Sequence, residues 1–184
     1  MTKRAGPVLE RRQSRKRADY FTGLVIVAWQ DDGREMRLIE DFTYTDPGGV
    51  VWVAPKKAYI DGASIPQLLW SVVGSPYIGK YRNASVVHDI ACCEQTRPWK
   101  KVHRMFYNAC LCGGVSRVRA KVMYAAVYHF GPRWGTAAEK GRRAFKKEQE
   151  FDELREFIEF NDPTLEEIES YKRRHSLGLD CFKP

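Results

Sequence analysis

Several signatures that announce a chemistry at a glance are missing from this chain. It has no glycine-rich phosphate loop, no nucleophile elbow and no HExxH pair. The nucleotide-binding, α/β-hydrolase and zinc-protease classes that those motifs mark are therefore not indicated. Long apolar runs are missing too. Leu24-Val25-Ile26-Val27 is the first hydrophobic segment after a basic start, too short to cross a bilayer or to form a signal-peptide core. No membrane span and no export by an ordinary signal are expected. Cysteine is scarce and odd in number. There are five, with Cys92-Cys93 adjacent and Cys110 and Cys112 bracketing one residue, and neither spacing is a CxxC knuckle. Reduced thiols packed as small hydrophobes fit that pattern, which points to a cytosolic product. Histidine is rarer still, four in all.

What is present suffices for one compact domain with arms. The chain has 184 residues, 43% hydrophobic and 12% aromatic, enough for one core and too few for two full-sized domains. The formal net charge is +8. Much of the excess sits near the N-terminus, where Lys3, Arg4, Arg11, Arg12, Arg15, Lys16 and Arg17 face a single acid, Glu10. Residues 1–18 read as a basic flexible arm, solvated by default. Such an arm can also contact a polyanion or an acidic partner surface, because clustered cations attract negative charge at long range.

The expected fold class is α+β: a small antiparallel N-terminal sheet, then a helical half, then a charged helical tail. Residues 19–135 form the core domain and 136–184 the tail. Thr22 to Trp29 is β-branched and apolar, and Asp31-Asp32-Gly33 suits a hairpin turn. Met36 to Thr45 follows, then the Asp46-Pro47-Gly48-Gly49 turn and a third strand from Val50 to about Ile60. The three strands read as one meander. Ser64 can cap a first helix, with Leu68, Leu69, Val72 and Val73 inside and Gly74 as its stop. Periodicity predicts further helices from about Tyr81 to Glu94, from about Pro98 to Cys112 before Gly113-Gly114, and from a Ser116 cap to Gly131-Pro132. In the tail, Phe145, Phe151, Leu154, Phe157 and Ile158 mark an amphipathic helix. A last helix runs from Thr164 to about His175, with acids early and bases late. The tail is expected to pack on the domain or on a partner chain.

The chemistry-bearing residues cluster between Asp61 and Asp89. Asp61, Ser64, His88 and Asp89 are the candidate catalytic groups. His88 faces the apolar side of its helix, one turn after Ala84 and one turn before Cys92, while Asp89 lies about 100° round from it. Neighbouring helical residues cannot orient one another, so Asp61 is expected to hold the His88 imidazole. His88 would then take a proton from water or from Ser64, and Asp89 would bind a cation. Alternatively Asp61, His88 and His103 bind a divalent metal ion, three ligands with one open position. Plainer roles are also open. Asp61 and Ser64 suit a turn and a helix cap, and His88 suits a buried neutral histidine. His129 reads as a core or helix-end residue and His175 as a partner of a helix dipole. Cys92 with His88 on one helix face could form a Cys–His pair, and Cys92 and Cys110 with His88 and His103 a structural zinc site.

Asp61-Gly62-Ala63-Ser64-Ile65-Pro66, then Trp70, Gly74, His88-Asp89, Arg104-Met105-Phe106 and Val127 to Gly131 together resemble domain of unknown function 1353. The resemblance covers about residues 20–135. Members of that family occur in bacteriophages, prophages and bacteria, which implies a phage-associated protein in the host cytoplasm, with assembly into a virion and contacts to other virion proteins as one outcome. Where such proteins tend to carry Ala-Asp, this chain has Val102-His103, and His103 could replace that Asp as a metal ligand. Two functions from different classes follow. One is a small hydrolase acting on cell-envelope or other polymer material through the Asp/His site. The other is a non-enzymatic virion-associated or accessory protein in which the same residues brace sheet against helices.

Overall fold

The computed structural model describes residues 18–31, 35–62, 64, 79–135 and 148–171. The expected basic arm to residue 17, the helix expected after Ser64 and the chain beyond residue 171 lie outside the described residues. The fold is α+β, with strands in the N-terminal half and helices after them.

Six short strands build the first half: β1 (Tyr20–Thr22), β2 (Val27–Trp29), β3 (Met36–Leu38), β4 (Phe42–Thr45), β5 (Val51–Ala54) and β6 (Tyr59–Ile60). They form two antiparallel three-stranded sheets, ordered β1-β4-β5 and β2-β3-β6. The single meander expected from sequence is thus bent across its middle, and each long strand gives its first half to one sheet and its second half to the other. The bends have local causes. Gly23 adopts φ +87° and Lys57 φ +71°, conformations that no regular strand contains. Backbone bonds still cross the break, from Ile39 N to the Ile26 carbonyl and from Lys57 N to the Leu38 carbonyl. The turn at Asp46 forms as its residues dictate. The Asp46 carboxylate accepts the Gly48 and Val50 N–H groups and the Trp52 indole N–H.

Burial alternates along the strands with the period of two that a one-sided sheet requires. Met36, Leu38, Phe42, Tyr44, Trp52, Ala54 and Ile60 point into the core, while Val51, Val53 and Tyr59 face outward. The helices stack on that inner face in sequence order. They are α1 (Arg82–Glu94), α2 (Trp99–Cys112), α3 (Arg117–Phe130), α4 (Glu148–Asn161) and α5 (Leu165–Ser170). Helix α1 packs on β4, β5 and β6, α2 on α1, α3 on α2, and α4 and α5 on α3. Helix α3 lies in the middle of the helical half, so every residue from Ala120 to His129 is buried.

The helix ends mostly follow the expected signals. Pro98 precedes α2, Gly113 and Gly114 close it, and Gly131 closes α3. Ser116 precedes α3 but its side chain makes no capping bond. At α5 the Thr164 hydroxyl and the Glu167 carboxylate form a reciprocal capping box. The described part of the tail packs on the domain itself. Phe151, Leu154, Ile158 and Ile168 are buried, and Arg104 on α2 meets Glu166 and Glu169 at 2.8 and 3.1 Å. Lys121, buried on α3, bonds to the carbonyl and carboxylate of Asp162.

Candidate functional site

The site forms where the loop after β6 meets α1 and α2. Asp89, on the first of these helices, is 3% exposed and turns both carboxylate oxygens toward the loop. Its Oδ2 accepts the backbone N–H groups of Asp61 and Gly62 at 3.0 and 3.1 Å, and its Oδ1 accepts the Ser64 N–H at 3.3 Å. One buried carboxylate therefore fixes three consecutive described residues of the loop. Gly62 adopts φ +68° there, which explains why the motif needs glycine at this point.

With its backbone held, Ser64 brings its hydroxyl 3.1 Å from His88 Nδ1. The other nitrogen of that ring, Nε2, lies 2.9 Å from Nδ1 of His103 on α2. His103 Nε2 in turn lies 3.1 Å from the Pro132 carbonyl, just past the end of α3. The direction of this chain follows from its last member. A carbonyl only accepts, so the proton of neutral His103 sits on Nε2 and leaves Nδ1 bare. That bare nitrogen accepts from His88 Nε2–H, so His88 Nδ1 is bare in turn and accepts the Ser64 hydroxyl proton. Serine, two histidines and a carbonyl form one continuous donor-to-acceptor series.

Burial and aromatic packing keep both rings neutral. His88 and His103 are completely buried. Phe106 packs 4.6 Å from the His88 ring centroid, and Trp99 and Trp134 meet His103 edge-on. Burial, and then the neighbouring His103, pull the His88 pKa well below the usual imidazole value. Burial pulls His103 down to about 3, against the Pro132 bond that pushes it up. Cys92 lies one helical turn after His88, with Sγ 3.6 Å from His88 Nε2. Burial, and then the Asp89 charge, push its thiol pKa well above the usual range. It is therefore a thiol, which does not favour a nucleophilic Cys–His pair.

The structure brings together Ser64, His88, Asp89 and His103 from the set expected on sequence, and places Asp61 differently. Among the described residues no hydrogen bond joins Asp61 to His88. The backbone N–H of Asp61 goes to Asp89, and His103 occupies the far nitrogen of His88 where Asp61 was expected to orient the ring. Of the metal-ligating side chains, His88, Cys92 and His103 converge. Cys92 stands in the position expected of Asp61, and Cys110 is not in the group. The Pro132 carbonyl and the Trp99–Trp134 wall were not legible as site elements. The i+4 spacing of His88 and Cys92 was the signal for the thiol.

The family model described as "Protein of unknown function (DUF1353)" matches residues 36–127, half of the chain. The chain belongs to that family. Its DUF1353 core covers β3 through most of α3 and thus contains Ser64, His88, Asp89, Cys92 and His103. It is similar to "Uncharacterized protein y4iH" of Sinorhizobium fredii (strain NBRC 101917 / NGR234), at 44% identity over 124 residues, 67% of this chain and 52% of the relative. It is also similar to "Uncharacterized protein y4jT" of the same strain, at 44% identity over 97 residues, 53% of this chain and 29% of the relative. The chain thus spans about half the length of the first relative and under a third of the second. No solved structure matches it. Among the described residues no helix is long and apolar enough to cross a membrane.

Proposed function

We propose that this DUF1353 protein is a hydrolase in which Ser64 is the nucleophile, His88 its general base and His103 the residue that orients and steadies His88. The observation that carries this reading is the one-way hydrogen-bond series from Ser64 through His88 and His103 to the Pro132 carbonyl. When Ser64 Oγ attacks an acyl carbon, its proton moves to His88 Nδ1. The resulting imidazolium keeps its Nε2–H directed at the bare Nδ1 of His103, which disperses the charge. His88 then returns the proton to the leaving group, and water repeats the sequence on the acyl-enzyme. An acidic side chain at position 103 would accept the same His88 N–H, so the place His103 occupies is the one that the third member of a serine–histidine–acid series would take. The setting we propose is the phage or prophage one, with an ester or amide of a cell-envelope polymer as substrate. A fluorophosphonate probe tests the chemistry without knowledge of the substrate. Mass spectrometry should find the adduct on Ser64, and Ser64→Ala should abolish it while melting temperature changes little. A wild-type protein left unlabelled after long exposure would defeat the proposal.

A second reading has its own support. His88 and His103 are fully buried, and Asp89 ties the loop through three N–H bonds. That suits a non-enzymatic accessory protein in which the series braces loop against helices. In that case His88→Ala lowers the melting temperature steeply and no serine is ever labelled.

A further inference from the structure

The geometry points to a tetrahedral soft-metal site, for zinc or a similar divalent ion, formed by His88 Nε2, His103 Nδ1 and Cys92 Sγ. These ligand atoms come from two helices and lie within 4.8 Å of one another. Tetrahedral zinc, with bonds of about 2.0–2.1 Å to nitrogen and 2.3 Å to sulfur, sets two nitrogens about 3.3 Å apart and nitrogen and sulfur about 3.5 Å apart. Here the two nitrogens are 2.9 Å apart and Sγ is 3.6 Å from His88 Nε2. The sulfur edge to His88 already has the required length, the nitrogen edge needs only a few tenths of an ångström, and the sulfur edge to His103 falls within the 4.8 Å span of the group.

The surroundings suit the ion as well. His103 Nε2–H donates to the Pro132 carbonyl, which holds the ring in the tautomer whose Nδ1 lone pair faces the other ligands. A histidine ligand usually has such an outer partner. A mixed nitrogen and thiolate set selects zinc-like ions over calcium or magnesium. The protons balance simply. Cys92 loses its thiol proton to solvent, and the His88 ring proton moves from Nε2 to Nδ1, so one proton is released per ion bound. That shift reverses the Ser64–His88 bond. His88 Nδ1–H then donates to Ser64 Oγ, and the metal-loaded form has no base for the serine. The metal site itself does not depend on the hydrolase reading.

Cobalt(II) is the probe. The reduced, full-length chain is freed of metal by chelator and titrated with cobalt. We expect a one-to-one complex with the intense visible bands of tetrahedral cobalt and a near-ultraviolet thiolate-to-cobalt band, both displaced by one equivalent of zinc. Cys92→Ser should remove the thiolate band and weaken binding at least tenfold. Cys110→Ser, outside the ligand group, should leave both unchanged. Only weak octahedral cobalt absorption from the wild type would overturn the proposal, as would a thiolate band that survives Cys92→Ser.

Discussion

His88 and His103 face each other across α1 and α2 with ring nitrogens 2.9 Å apart, both rings buried. Two neutral histidines in direct contact can share only one proton between them. The Pro132 carbonyl decides which ring supplies it. Asp89 decides where the series begins, because it places Ser64. The adjacent pair His88-Asp89 therefore acts in two directions from one helix, the imidazole along the helix pair and the carboxylate into the loop.

Asp89→Asn should destabilise the protein by roughly 2–4 kcal/mol. Asparagine has one acceptor oxygen where the carboxylate uses two, and its amide would set N–H against N–H at one of the three loop bonds. The urea midpoint should fall, and any Ser64 labelling should fall with it because the loop loses its anchor. An unchanged midpoint would show that solvent replaces these bonds without cost.

Much of this arrangement could be read from the residues alone. Alternation in Met36–Leu38 and Phe42–Thr45, the Asp46 turn, and the stops at Gly113 and Gly131 are local signals, and they gave the α+β class and three helices closely. The bend that splits the meander was not legible, because a left-handed Lys57 has no composition cue and the crossing bonds join residues far apart in sequence. In the site, His88, Ser64 and His103 were legible by type and spacing. Their pairing was not. Asp61 was the expected partner of the His88 ring and His103 only a fellow metal ligand, and it is the packing of α1 on α2 that brings His103 to the ring instead. A backbone carbonyl such as that of Pro132 leaves no trace in sequence at all.

Position 103 separates orientation from packing. In His103→Leu the His88 Nε2–H and the Pro132 carbonyl both lose their partner, which should cost about 2–4 kcal/mol and lower fluorophosphonate labelling of Ser64 by on the order of a hundredfold. His103→Asp restores an acceptor for His88, and its carboxylate stabilises the imidazolium better than neutral imidazole does. Labelling should then equal or exceed that of the wild type, even if stability falls. If the Asp variant is folded yet as unreactive as the Leu variant, His103 does not act through His88.

Metal and serine reactivity should exclude each other. One equivalent of bound zinc is expected to lower Ser64 labelling at least tenfold, and chelation should restore it. In Cys92→Ser, zinc at the same concentration should protect much less. Full labelling of a protein shown to hold stoichiometric zinc would mean that the ion sits elsewhere or that His88 is not the base.

Acid should weaken the protein through His129, at a distance from the site. Its Nε2–H donates to the Ile168 carbonyl at 2.7 Å, tying α3 to α5. Burial lowers its pKa to about 4, the Ile168 bond and Glu169 oppose that, and Arg133 adds to it. In the unfolded chain the same imidazole titrates near 6.5. Between these values the unfolded chain binds a proton that the folded protein does not, so stability rises with pH across that window. The contribution is complete above about pH 6.5, is lost as pH falls toward 4, and changes no further once both states are protonated. At about 1.4 kcal/mol per pKa unit it reaches roughly 3 kcal/mol. Urea midpoints from pH 7.5 to 4.5 for wild type and His129→Gln provide the measurement. Glutamine keeps an N–H for Ile168 without titrating, and the comparison subtracts the other buried histidines. The wild type should lose more stability than the variant, with the gap opening below pH 6.5. Parallel curves would show that His129 takes up its proton without leaving its pocket.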